Sequence, residues 1–155
     1  MKFTIRQATK KDVPLILSFI KELAEYEHLS DEIAADTKTL RDNLFSKRKT
    51  AEVIFACHKG TEIGFALFFH NFSTFLGKPG IYLEDLFVKS GYREKGCGKV
   101  MLSYLAKLAI KRKCGRLEWW VLDWNKPAIE FYKNYSTVFD AEWISRKDGM
   151  NGTVV

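Results

Sequence analysis

Proline, cysteine and histidine are scarce in this chain, three of each among 155 residues, and each scarcity removes a class of protein. Cys57, Cys97 and Cys114 are odd in number and lack C-x-x-C or zinc-ligand spacing, which excludes a disulfide framework or structural zinc and fits a reducing compartment. His28, His58 and His70 are scattered, without the i, i+4 spacing or carboxylate company of a metal site, so no metal is expected. Few prolines beside 46% hydrophobic and 28% charged residues exclude a disordered or fibrous chain. Apolar runs such as 63–69 fall far short of the roughly 20 residues of a membrane span. The opening Met1-Lys2-Phe3-Thr4-Ile5-Arg6 has no signal-peptide form, so a cytoplasmic protein without a membrane partner is expected. The length suits one domain, 1–155, and leaves little room for a second.

What is present in excess is positive charge. A formal net charge of +6 suits an anionic ligand such as a nucleotide phosphate, and equally nucleic acid. The basic runs Lys47-Arg48-Lys49 and Lys111-Arg112-Lys113 have the form of helix ends, where cations offset the dipole. The stacking motif of the common RNA-binding sheets is lacking, so nucleic acid is not an expected partner.

Periodicity orders the elements. Phe3, Ile5 and Gln7 alternate as a short strand, and Thr9-Lys10-Lys11-Asp12 has capping-box form. Val13, Ile16, Leu17, Ile20, Leu23 and Ala24 then recur at helical spacing to about Tyr26. A loop over 28–36 leads to a second helix capped by Thr37, carrying Leu40, Leu44 and Phe45 and ending at Lys47-Arg48-Lys49. Residues 53–57 and 63–69 are strands joined across Lys59-Gly60-Thr61-Glu62 as a hairpin. After a loop with Gly77, Pro79 and Gly80, residues 81–88 form a strand interrupted by Glu84-Asp85. A helix over 96–113, a strand over 117–122 and a helix opened by Asn125-Lys126-Pro127 follow. The pattern is mixed α/β, and 81–122 reads as a parallel crossover, which puts ligand chemistry beyond the strand ends near Val88 and Leu122.

Between the strand and helix of that crossover stands Arg93-Glu94-Lys95-Gly96-Cys97-Gly98. Backbone N–H groups at a helix start hold phosphate oxygens, and glycines let the phosphates approach. Alone, the hexapeptide is equally a glycine-rich turn that lets a strand enter a helix. Three further segments flank it in order. They are Ile20-Lys21-Glu22-Leu23-Ala24-Glu25-Tyr26-Glu27, Tyr82-Leu83-Glu84-Asp85-Leu86-Phe87-Val88, and Trp124-Asn125-Lys126-Pro127-Ala128-Ile129-Glu130-Phe131-Tyr132.

Together these four segments resemble the GNAT superfamily of N-acetyltransferases, most closely its spermidine/spermine (diamine) and thialysine branch. The resemblance covers most of 5–135. It implies the GNAT (acyl-CoA N-acyltransferase) fold, with a mixed, mostly antiparallel central sheet flanked by about four helices. It implies acetyl-CoA as donor and direct transfer to a primary amine of a polyamine or diamine. A lysine-like amino acid side chain is the alternative acceptor, and a non-catalytic acyl-CoA sensor the alternative of another class. A homodimer and a small-molecule amine are the implied partners.

The resemblance also assigns residues. Leu86, Phe87 and Val88 would pair with the pantetheine arm, and Arg93, Glu94, Lys95, Gly96, Cys97, Gly98 and Lys99 would line the diphosphate. Asn125, Lys126, Pro127, Ala128 and Tyr132 complete the cofactor set. An alkyl ammonium of pKa about 10.4 must lose a proton before it attacks a thioester, and Glu84 is the candidate base, acting through water. Tyr132 holds the position of the acid that protonates the departing thiolate. Tyr26, Glu27, Glu84, Asp85, Glu118, Trp119 and Trp120 are the candidate amine contacts, though strand neighbours face opposite sides and one of the two tryptophans is expected in the core. Cys97 reads as a small apolar filler rather than a nucleophile. Where the family has Gly-Ala after its Phe-Tyr, this chain has Tyr135-Ser136-Thr137, which leaves the last strands and the dimer contact open.

Overall fold

A computed structural model describes residues 1–136, 142–145 and 150–154. The order is β1 (Thr4–Gln7), α1 (Val13–Tyr26), α2 (Thr37–Leu44), β2 (Glu52–His58), β3 (Thr61–Ser73), β4 (Lys78–Val88), α3 (Cys97–Lys111), β5 (Leu117–Leu122), α4 (Lys126–Ser136), β6 (Glu142–Ser145) and β7 (Met150–Val154). Among the described residues seven strands form one sheet, in the order β1-β2-β3-β4-β5-β7-β6. β1 with β2, β2 with β3, β5 with β7 and β6 with β7 are antiparallel. β4 and β5 are parallel, Ile81–Leu83 facing Leu117–Trp119, because α3 carries the chain back between them. This is the mixed, mostly antiparallel sheet with four helices that the resemblance implied.

Several boundaries differ from the sequence reading. The loop between β3 and β4 shrinks to a turn over 74–77, both strands being longer than the apolar runs that marked them. Asp36, not Thr37, caps α2: its carboxylate accepts from the Thr39 N–H at 2.7 Å while Thr39 Oγ1 accepts from the Asp36 N–H. An ionised acceptor makes the stronger cap. α2 stops at Leu44, so Lys47-Arg48-Lys49 lies beyond it, and Lys49 pairs with Glu52 at 3.3 Å. The expected loop 28–36 contains a short 3₁₀ turn, Ser30–Glu32. The segment after Tyr135 supplies β6 and β7, with β7 zipped onto β5. Where the family has Gly-Ala, Tyr135 and Ser136 close α4, and Thr137 lies outside the described residues.

The chain divides into two compact units, one of 1–68 and 85–101, the other of 69–84 and 102–155. In the first, Phe19 of α1 is fully buried, its ring 5.7 Å from Phe55, 5.3 Å from Phe65 and 6.4 Å from Phe87. A side chain buried this completely contributes about 2–3 kcal/mol by transfer alone, so α1 is fixed to its side of the sheet. In the second, Ile81, Leu83, Leu102, Leu105, Leu117 and Trp119 are buried. Ser103 Oγ lies 3.3 Å from the hydroxyl of Tyr135, and burial pushes that phenol's pKa up.

An ion cluster closes the start of the first unit. Arg6 donates to both carboxylate oxygens of Asp12 at 2.9 Å and to Glu62 at 2.7 Å, with its guanidinium 4.7 Å over the Phe55 ring. The hydrogen bond from Arg6, helped by the Thr9 N–H, lowers the Asp12 pKa to about 2 despite its burial. A folded pKa depressed below the unfolded value stabilises above the unfolded pKa, and that stability vanishes as pH falls through the folded one. Asp12→Asn should therefore lower stability at pH 7 by about 1–2 kcal/mol, discounted for partial exposure. Denaturant titrations from pH 7 to about pH 2 should show the gap to wild type closing across the acid range.

Candidate functional site

In the first unit, the chain leaving β4 makes a 3₁₀ turn, Ser90–Tyr92, before α3 begins at Cys97. Glu94 has φ 60° and Gly96 φ 86°, with Lys95 between them at negative φ. Left-handed residues in a turn of this kind can aim neighbouring main-chain N–H groups to one side, as in anion-binding nests. A side chain at position 96 would be strained at that φ, whereas the space where its Cβ would stand is open to 4 Å. The first bond of α3 runs from the Val100 N–H to the Gly96 carbonyl at 3.1 Å, so the amides of Cys97, Gly98 and Lys99 precede the helical ladder. The loop thus presents donors, an open face and a helix start. Cys97 turns inward with 2% exposure, and burial, then the charge of Cys57, pushes its thiol up to about 11. It is neutral at physiological pH and packs as a small apolar group.

Lys95 and Arg93, both expected to face phosphate, are engaged with the protein. The Lys95 ammonium donates to the Gly91 carbonyl at 2.6 Å. Arg93 Nε donates to the Val88 carbonyl at 2.8 Å, and the guanidinium lies 4.4 Å over Tyr26 and 5.3 Å over Phe87. Tyr26, the last residue of α1, is therefore drawn to the base of the loop. Beside it Glu27 is half-buried, and burial alone raises its carboxyl pKa. Asp85 and Leu86 are half-buried, while Phe87 and Val88 point into the core.

The second unit holds the remaining candidates. Glu84 is exposed on β4 beside buried Leu83, as strand alternation requires. On β5, Trp119 is enclosed with 1% exposure while Trp120 is half-buried, so the core member of the pair is Trp119. Glu118 is occupied: Asn71 Nδ2 donates to its Oε2 at 2.9 Å, and Arg116 Nε lies 3.4 Å from the same oxygen. Asn125 caps α4, its main-chain oxygen accepting from Ile129 at 3.0 Å and its Oδ1 from Ala128 at 3.4 Å. Lys126 and Pro127 are exposed in the first turn and Ala128 half-buried. One turn beyond Ala128, Tyr132 is buried against Trp119, ring centroids 5.2 Å apart, with Phe131 also at 5.2 Å. Among the described residues Trp119 Nε1 has no hydrogen-bond partner, so a buried donor lies in the residue packed on Tyr132.

Sequence reasoning named Glu118 but not its contacts with Asn71 and Arg116, and it did not find the Lys89–Glu22 pair. Lys89 lies 3.2 Å from Glu22 and 5.0 Å over the Phe19 ring. No spacing rule links residues so far apart in the chain.

The family profile for acetyltransferases of the GNAT family matches residues 17–135. The chain is 32% identical to the L-ornithine N5-acetyltransferase NATA1 of Arabidopsis thaliana, over 90% of this chain and 81% of that protein. It is 37% identical to the thialysine N-epsilon-acetyltransferase of Bos taurus, over 83% and 80%. Among solved structures, an integron cassette protein from the V. cholerae mobile metagenome superposes with TM-score 0.71 at 32% identity, over 87% of this chain and 85% of that one. A metagenomic aminoglycoside acetyltransferase superposes at TM-score 0.74 and 17% identity, over 85% and 86%, a likeness of fold. Among the described residues no helix is long and apolar enough to cross a membrane. With a profile match spanning most of the chain and the sheet of that fold beneath it, this protein belongs to the GNAT family of acetyltransferases and is an acyltransferase acting on amines.

Proposed function

We propose that 1–155 form a single cytoplasmic, homodimeric N-acetyltransferase domain that moves acetyl from acetyl-CoA to a primary amine of a polyamine or diamine. The loop fits the donor: the main chain at 94–99 offers N–H groups at a helix start, and the open space at Gly96 leaves room for a diphosphate. Leu86, Phe87 and Val88 would accompany the pantetheine arm. When bound, the donor supplies an activated thioester. Glu84 accepts the ammonium proton through water, Tyr132 holds a proton for the departing sulfur, and Asp85 adds negative potential.

The observation that carries the amine reading is Glu27, a half-buried carboxylate whose charge burial disfavours and whose pKa, among the described residues, no cation lowers. A substrate ammonium would supply that compensation, with the Tyr26 ring adding cation–π attraction. A second reading, the side-chain amine of a lysine-like amino acid, is supported by the printed names of the ornithine and thialysine relatives. Kinetics with spermidine, putrescine, ornithine and thialysine under one set of conditions rank the two. Glu27→Gln should raise the KM of the best amine by roughly tenfold, about the strength of one charge-assisted contact, with kcat little changed. An unaltered KM removes Glu27 from the pocket, and turnover with none of the amines removes the substrate class.

A further inference from the structure

Two cations at the base of the loop reach back to α1. Lys89 touches Glu22 and Phe19, and Arg93 touches Tyr26. Their ring and carboxylate contacts fall on successive turns, at 19, 22 and 26, so the last two turns of α1 are tied to the loop rather than merely packed near it. The Arg93 anchor is directional. Its Nε bond to the Val88 carbonyl, at the end of β4, orients the guanidinium, which lies over the ring of Tyr26 on α1. The residue after Arg93 is Glu94, first of the left-handed pair that shapes the anion nest.

From this juxtaposition we infer that Arg93 is a positioning residue, which transmits ordering of the diphosphate loop to the amine-facing end of α1. This rests on the reading of 94–99 as the coenzyme A loop. A ligand that fixes the main chain at 94–99 also fixes the backbone of Arg93. The guanidinium then holds Tyr26, and with Tyr26 the carboxylate of Glu27. The end of α1 is suited to respond. His28 closes it in a left-handed conformation with φ 60°, and three bonds finish the turn: Glu27 to Leu23 at 2.9 Å, His28 to Glu25 at 3.2 Å and Leu29 to Ala24 at 2.8 Å. Helix termini open at lower free-energy cost than helix centres even when capped in this way, and a ligand that stabilises such an end from elsewhere prepares the second site in advance. Donor binding would thereby tighten the acceptor site, by about fivefold or more if the coupling is of ordinary size.

Amide hydrogen exchange with coenzyme A alone tests this without any amine and without turnover. In the wild type, saturating coenzyme A should slow exchange in 94–100 and, by about fivefold, at Glu27, His28 and Leu29. Arg93→Gln and Tyr26→Leu should keep the slowing at 94–100 and lose it at 27–29, whereas Tyr26→Phe, which retains the ring, should behave as wild type. Slowing at 27–29 that survives both disruptive variants, or is absent from a wild type whose loop is protected, overturns the coupling and leaves the coenzyme A reading standing. A wild-type loop that coenzyme A does not protect overturns that reading, and the coupling with it.

Discussion

Tyr132→Phe is expected to lower kcat by about 10²-fold or more while leaving coenzyme A affinity within about twofold. The ring is packed on both sides: Trp119 and Phe131 both lie 5.2 Å away and the residue is 7% exposed. Phenylalanine keeps those contacts, so the thermal midpoint should stay nearly constant and the loss be chemical. A proton donor is needed only as charge develops on the departing sulfur, so its removal raises the barrier without weakening the ground state. A hundredfold loss corresponds to about 2.7 kcal/mol of barrier. Tyr135→Phe is the internal control. Its hydroxyl lies 3.3 Å from Ser103 Oγ, one turn along the same helix face, so it should change stability and spare turnover. Equal rates for wild type and Tyr132→Phe would remove Tyr132 from the acid role.

The fold was legible where local rules decide. Helical spacing at Val13, Ile16 and Leu23 and the turn at Lys59-Gly60 are written within a few residues and stand where they were read, while the capping box at Thr9 opens a 3₁₀ turn, Lys10–Asp12, from which α1 follows at Val13. Boundaries failed where the deciding partner is distant. β3 runs on to Ser73 and β4 starts at Lys78 because neighbouring strands supply hydrogen bonds, which no apolar pattern in 70–80 announces. The site divides the same way. The glycine at position 96 was legible because its φ leaves glycine as the unstrained choice. The inward turn of Arg93 was not. Arginine at that position is compatible with a phosphate contact or a ring contact, and the difference lies in Tyr26, 67 positions earlier in the chain. Glu118 is similar: as a carboxylate on a strand it suits an amine, until Asn71 and Arg116 are found on it.

Glu84→Gln should produce the second large change, and its signature is in the pH dependence of kcat/KM. At pH 7 an alkyl amine of pKa about 10.4 is free base in only about one molecule in 2,500. An enzyme that binds the ammonium and removes the proton in the site escapes that limit; one lacking its base must wait for the rare neutral amine. Glu84 is exposed on β4, so the amide, isosteric with the carboxylate, should alter stability by no more than about 0.5 kcal/mol. The variant's kcat/KM should fall by about 10²–10³-fold at pH 7 and then rise by about tenfold per pH unit, following the free-amine fraction, so that the gap to wild type narrows toward pH 10. Alkaline rescue of this kind separates a lost base from a damaged pocket, because damage would lower both ends of the profile alike. If the two profiles run parallel at every pH, the proton goes to another group, and the negative charge at Glu84 serves only to attract the cation.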